Sequence, residues 1–156
     1  MELWQQIDSS SVEDARALLS RACGARRWVD RMLIRRPFGS RDALLAVARD
    51  EWFLLDEADW REAFSHHPKI GQKSADRIAS KEQSGVSGAA ADVLTALAEG
   101  NRAYEEKFGY IFIVCATGKS AEEMLALLRQ RLPNDPTKEI RIAAEEQAKI
   151  TALRLR

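Results

Sequence analysis

Apolar residues recur at three- and four-residue spacing along most of the chain, which predicts helices. Val12, Ala15, Leu18 and Leu19 form such a stripe behind Ser10 and Glu13, a pair that resembles a capping box, and Gly24 marks a stop. A second helix covers about 25 to 35, with Trp28, Met32 and Leu33 inward and Pro37 beyond its end. Ser40 caps a third, which buries Leu44, Leu45, Val47 and Ala48. Asp56 and Asp59 open a short fourth, with Trp60, Ala63 and Phe64 on one side. Pro68 disfavours helical geometry in the residue before it, so that helix stops near His67 and the stretch 66 to 73 is a loop.

Ser74 starts a further helix to about Gln83, the glycines of SGVSG at 84 to 88 break the pattern, and a long helix follows from about Ala89 to Lys107. IFIVCA, 111 to 116, is the one strand-like run; a lone strand lacks a partner, so an extended buried segment is expected. Ser120 with Glu123 caps the next helix, whose stripe is Met124, Leu127, Leu128 and Leu132. Asp135 and Pro136 start the last, which carries Ile140, Ala143, Ala144, Gln147, Ile150, Ala152 and Leu153. The expectation is an all-α, single-domain bundle of about eight helices over 1–156, with one short extended segment.

Composition narrows the function classes. Of 156 residues, 46% are hydrophobic and 31% charged, enough for a real core under a solvated surface. A domain of this size buries roughly 70% of its unfolded surface and needs neither disulfide nor metal to fold. Twenty-four basic residues balance 24 acidic ones, so no global basic field for nucleic acid exists. Cys23 and Cys115 match no metal-ligand spacing and read as reduced thiols, as in a cytoplasmic protein. No apolar run is long enough to span a membrane, and the N-terminal stretch lacks the pattern of a signal peptide. A soluble, unprocessed chain is expected.

Few residues offer chemistry. The two histidines, His66 and His67, are adjacent at the helix-to-loop break, and Pro68 restricts the backbone of His67. An imidazole there can exchange protons with a substrate near neutral pH, or merely satisfy terminal helix carbonyls. Glu82 can return to that loop to orient the imidazole or hold a proton, and the Gln83 amide suits a ureido or imide edge; equally, the two form an ordinary exposed pair. FGYIFIVCATG places irregular apolar backbone between Gly109 and Gly118, whose polar groups need partners that a small polar ligand could supply, unless the stretch simply fills the core. The arginines of 26 to 36 suit a solvated helix face better than a nucleic-acid surface. No phosphate loop, His-x-x-x-His, Cys-x-x-Cys or G-x-S-x-G is present, so neither metal nor cofactor is expected.

HPKIG at 67 to 71, KEQSG at 81 to 85, FGYIFIVCATGKS at 108 to 120 and RLPNDPTKEIRIAAEEQAKITALRL at 131 to 155 together resemble the OHCU decarboxylase family, in order and over nearly the whole chain. That family converts 2-oxo-4-hydroxy-4-carboxy-5-ureidoimidazoline to (S)-allantoin in urate breakdown. The resemblance implies an all-α homodimer without cofactor. It implies His67, Glu82 and Arg154 as catalytic residues, with Pro68, Gln83 and the backbone of Phe112, Ile113, Val114, Cys115 and Ala116 at the substrate. Ala79 stands where family members often carry serine, and Ser80 follows it, so a hydroxyl contact there is lost or moved by one residue. Two other classes fit the bare pattern: a non-catalytic helical interaction module, and a cofactor-free hydrolase of a related ureido compound.

Overall fold

The computed structural model of the chain describes residues 1–68 and 88–156, with backbone alone for 88–90. The described residues are all-α, with eight helices and no strand. The expected helix over 74 to 83 and the break at 84 to 87 lie outside them. Two compact units divide the chain: residues 1–66 with 144–156, and residues 67–143.

The first unit contains α1 (Leu3–Ser9), α2 (Val12–Ala22), α3 (Arg26–Arg35), α4 (Arg41–Phe53) and α5 (Glu57–Phe64). The pattern did not predict α1, a short helix whose apolar repeat is Leu3, Trp4 and Ile7 and whose start is secured when Gln5 accepts the Glu2 N–H at 2.8 Å. Its presence moves the next cap by one residue. Ser10 closes α1 by donating its backbone N–H to the Gln6 carbonyl at 3.0 Å, so Ser11, not Ser10, caps α2 by accepting the Asp14 N–H at 3.1 Å. Val12, expected inward, is exposed, and the buried stripe of α2 is Ala15, Leu19 and Ala22.

Ser40 caps α4 and Asp56 caps α5 as expected, each accepting an N–H at 3.1 Å. Ala25 gives α3 no side-chain cap; Glu62 of α5 supplies it instead, accepting the Arg26 backbone N–H at 2.8 Å and Nε at 2.9 Å. Those bonds, the backbone one first, hold the Glu62 carboxyl below its usual range. Trp28, Met32, Leu44, Ala48, Ala63 and Phe64 are buried; Leu33, Leu45, Val47 and Trp60 are only half-buried. Three indoles donate to helix carbonyls at 2.9–3.0 Å: Trp28 to Ala48, Trp52 to Ala144 and Trp60 to Trp52.

The second unit contains α6 (Gly88–Phe108) and α7 (Ala121–Arg131). The last helix, α8 (Pro136–Leu155), begins in this unit and ends in the first. Ser120 accepts the Glu123 N–H and Asp135 the Lys138 N–H, both at 3.1 Å, as the capping patterns predict. Helices α6 and α7 approach closely at Gly100, where a Cβ would lie 2.5 Å from the Leu128 side chain. Tyr104 centres an aromatic group, with ring centroids of Phe108, Phe112 and Tyr110 at 4.5, 5.3 and 5.8 Å. None of the described helices is long and apolar enough to cross a membrane.

Candidate active site

Helix α5 ends at Phe64, and the two histidines follow in the turn after it. They differ. His66, in the first unit, packs its ring over Gly24 so closely that a Cβ there would stand 2.5 Å from His66 Cγ and Cδ2. His67 opens the second unit and is half-buried, and Pro68 behind it is exposed. Ala79, Ser80, Glu82 and Gln83 lie outside the described residues.

Between Tyr110 and Thr117, where an extended segment is expected, the chain is neither helix nor strand. Burial is narrower than predicted: Phe112, Ile113, Val114 and Cys115 are 1 to 7% exposed, Ile111 is half-buried and Ala116 is exposed. Gly109 and Gly118 bracket it at φ of 83° and 76°, a region that side chains disfavour; a Cβ at Gly118 meets nothing within 4 Å, so torsion and not space selects glycine there.

Protein donors reach three carbonyls of the segment, among them that of Ala116, which accepts the Lys119 N–H at 3.0 Å. The Ile113 carbonyl accepts from Arg131 Nη1 at 2.7 Å, and the Cys115 carbonyl accepts from Lys119 Nζ at 2.8 Å. Among the described residues, no hydrogen bond reaches the N–H or C=O of Phe112 or Val114. Buried backbone groups of this kind are ordinarily paired, so groups that no described residue pairs are a place where a polar ligand would gain.

Arg131 is itself held. Its side chain is 7% exposed; Nη2 and Nε donate to Glu139 Oε2 at 2.5 and 2.9 Å, and the guanidinium lies 4.5 Å from the Phe112 ring centroid. Tyr104 Oη also donates to Glu139 Oε2, and Asn134 Nδ2 donates to Oε1 at 3.0 Å. Burial, then that bond, raises the Tyr104 phenol above its usual range. Sequence reading missed this network because charged residues count as solvated. The signal was present: Arg131 lies three residues beyond Leu128, and Glu139 four before Ala143, both on buried faces.

Arg154 lies in the first unit, exposed, with Nη1 donating to the Ala22 carbonyl at 3.4 Å. Thr151 reaches the same carbonyl at 3.5 Å and accepts from Gln147 at 3.0 Å. Burial pushes the neighbouring Cys23 thiol up to about 11, which removes it as a nucleophile near neutral pH. Among the described residues, no group of three or more His, Cys, Asp or Glu is placed to hold a metal ion.

The chain matches the family model described as OHCU decarboxylase over residues 8–156. It is 41% identical, over 85% of its length and 44% of the relative's, to the uric acid degradation bifunctional protein TTL of Arabidopsis thaliana. It is 46% identical over 35% of its length, and 31% of the relative's, to the 2-oxo-4-hydroxy-4-carboxy-5-ureidoimidazoline decarboxylase of Amia calva. The chain thus spans less than half the length of the curated relatives it matches. A crystal structure of OHCU decarboxylase in the presence of (S)-allantoin aligns with a TM-score of 0.76 and 38% identity, covering 94% of this chain and 96% of that one. The match over nearly every residue, the all-helical fold and the four motifs agree: the chain belongs to the OHCU decarboxylase family.

Proposed function

We propose that the protein decarboxylates 2-oxo-4-hydroxy-4-carboxy-5-ureidoimidazoline to (S)-allantoin, without a cofactor, in urate catabolism. The observation that carries this reading is the family match over residues 8–156. The Phe112 and Val114 backbone groups, which no described residue pairs, suit a ureido or imide ligand, whose N–H and C=O groups complement a backbone.

Loss of CO2 leaves an electron pair on the former carboxyl-bearing carbon. The adjacent imine or carbonyl of the substrate accepts that charge, so the substrate is its own electron sink. The protein then has to orient the carboxylate, assist the proton on the 4-hydroxyl and deliver one proton to one face. We assign His67 to the proton transfers, Glu82 to orienting it and bonding substrate, and Arg154 to an anionic oxygen, where guanidinium geometry fits. Gln83, Pro68 and the stretch Phe112 to Ala116 are assigned to binding, with Ala79 and Ser80 at the altered hydroxyl position. The family likeness suggests a homodimer, and the two free, buried thiols Cys23 and Cys115 suit a cytoplasmic location.

The test generates the unstable substrate in place from urate with the two upstream activities and follows product optical activity by circular dichroism. Wild-type protein yields (S)-allantoin; His67→Ala, folded, yields the racemate of the spontaneous reaction at a rate lowered at least about 100-fold. His66→Ala is the matched control and remains stereospecific. Undiminished optical activity from His67→Ala removes the role of His67. A hydrolase would consume water and release no CO2, so product analysis separates the two.

A further inference from the structure

The hydrogen bonding of residues 112–115 goes beyond the reaction assignment. Arg131 binds the Ile113 carbonyl and Lys119 the Cys115 carbonyl, whereas the polar backbone groups of Phe112 and Val114 have no partner among the described residues. The Ile113 and Cys115 carbonyls are thus a held edge, whereas no described residue pairs with the Phe112 and Val114 groups.

The effort spent on the held edge exceeds what a connector needs. Bringing Arg131 to 7% exposure requires Glu139, Tyr104 and Asn134 around the same carboxylate, and desolvating such a group is costly unless every donor is used. A one-residue slip of the segment would present Ile113 where Phe112 or Val114 now stands. The guanidinium forbids that slip twice over, through the Ile113 carbonyl and through its stacking on Phe112 at 4.5 Å.

We propose that Arg131, braced by Glu139, and Lys119 are positioning residues that fix the register in which the Phe112 and Val114 backbone groups meet the substrate. The proposal rests on the decarboxylase reading. The ammonium of a lysine at 131 cannot span both Glu139 and the Ile113 carbonyl in the manner of the guanidinium fork.

Steady-state kinetics on in-place substrate test it at a temperature well below unfolding. Arg131→Lys is expected to raise KM about tenfold, equivalent to about 1.4 kcal/mol, with kcat within about threefold, because backbone contacts to the substrate are made equally in ground and transition states. Lys119→Met should raise KM about threefold. A purely structural Arg131 would lower the melting temperature and leave KM unchanged; that result in folded Arg131→Lys overturns the proposal. If Arg131→Lys does not fold, Lys119→Met decides, and a wild-type KM there overturns it. Wild-type protein that makes no (S)-allantoin overturns the reaction assignment and the proposal together, whereas an active wild type with unmoved KM in the variants removes the proposal alone.

Discussion

Two buried glutamates in this protein have the same nominal partner and different work. Glu51, on α4 in the first unit, is 1% exposed and receives Arg31 Nε at 2.9 Å and Arg35 Nη1 at 2.8 Å from α3. Glu139, on α8 in the second unit, is fully buried and receives Arg131. The arginines of Glu51 are about half in solvent, whereas Arg131 is 7% exposed and also binds main chain. The first arrangement ties two helices whose backbones are already satisfied internally. The second completes a stretch of chain that has no ladder or helix of its own. A buried acid beside arginine is thus a clip between helices in one place and a brace for a non-helical stretch in the other.

Removing each carboxylate is the sharpest way to break that comparison. Glu139→Ala leaves Arg131 buried without its counter-charge and should cost about 3–5 kcal/mol, lowering the melting temperature by roughly 10 °C in a thermal scan. A loss under about 1 kcal/mol would show that the network is not the anchor described. Glu51→Ala should cost less, about 1–3 kcal/mol, because water takes over its half-exposed arginines. Arg31, through its hydrogen bond, then Arg35, holds the Glu51 carboxyl below its ordinary 4.5. The folded state therefore gains from this group above the unfolded value and loses the gain as pH falls through the folded one. Glu51→Gln should flatten that part of the acid limb in denaturation measured from pH 6 to pH 2, and an unchanged limb would contradict it. Arg35→Ala should be mildest, about 0.2–1 kcal/mol, and diminished by salt.

The same contrast shows what the sequence makes legible. Ser40, Asp56, Ser120 and Asp135 cap helices as read, because a cap is decided within four residues. Ser10 and Ser11 differ only in what precedes them, and α1 takes Ser10 for its own end. The buried non-helical segment is legible from its two glycines and its apolar run, but the exposure of Ala116 is not, since the pattern carries no boundary there. Arg131 and Glu139 are hidden for a different reason: two opposite charges eight residues apart look solvated until a loop folds their helices together. Glu82, Gln83, Ala79 and Ser80 rest on motif likeness alone.

Gly24 carries a consequence of its own. Because the His66 ring occupies the space a side chain would need, position 24 admits hydrogen and nothing larger without moving the end of α5. His66 is joined by a single peptide bond to the imidazole assigned to proton transfer. One added methyl group, forty-odd residues upstream and bearing no reactive atom, would thus be felt first at the doorstep of the chemistry.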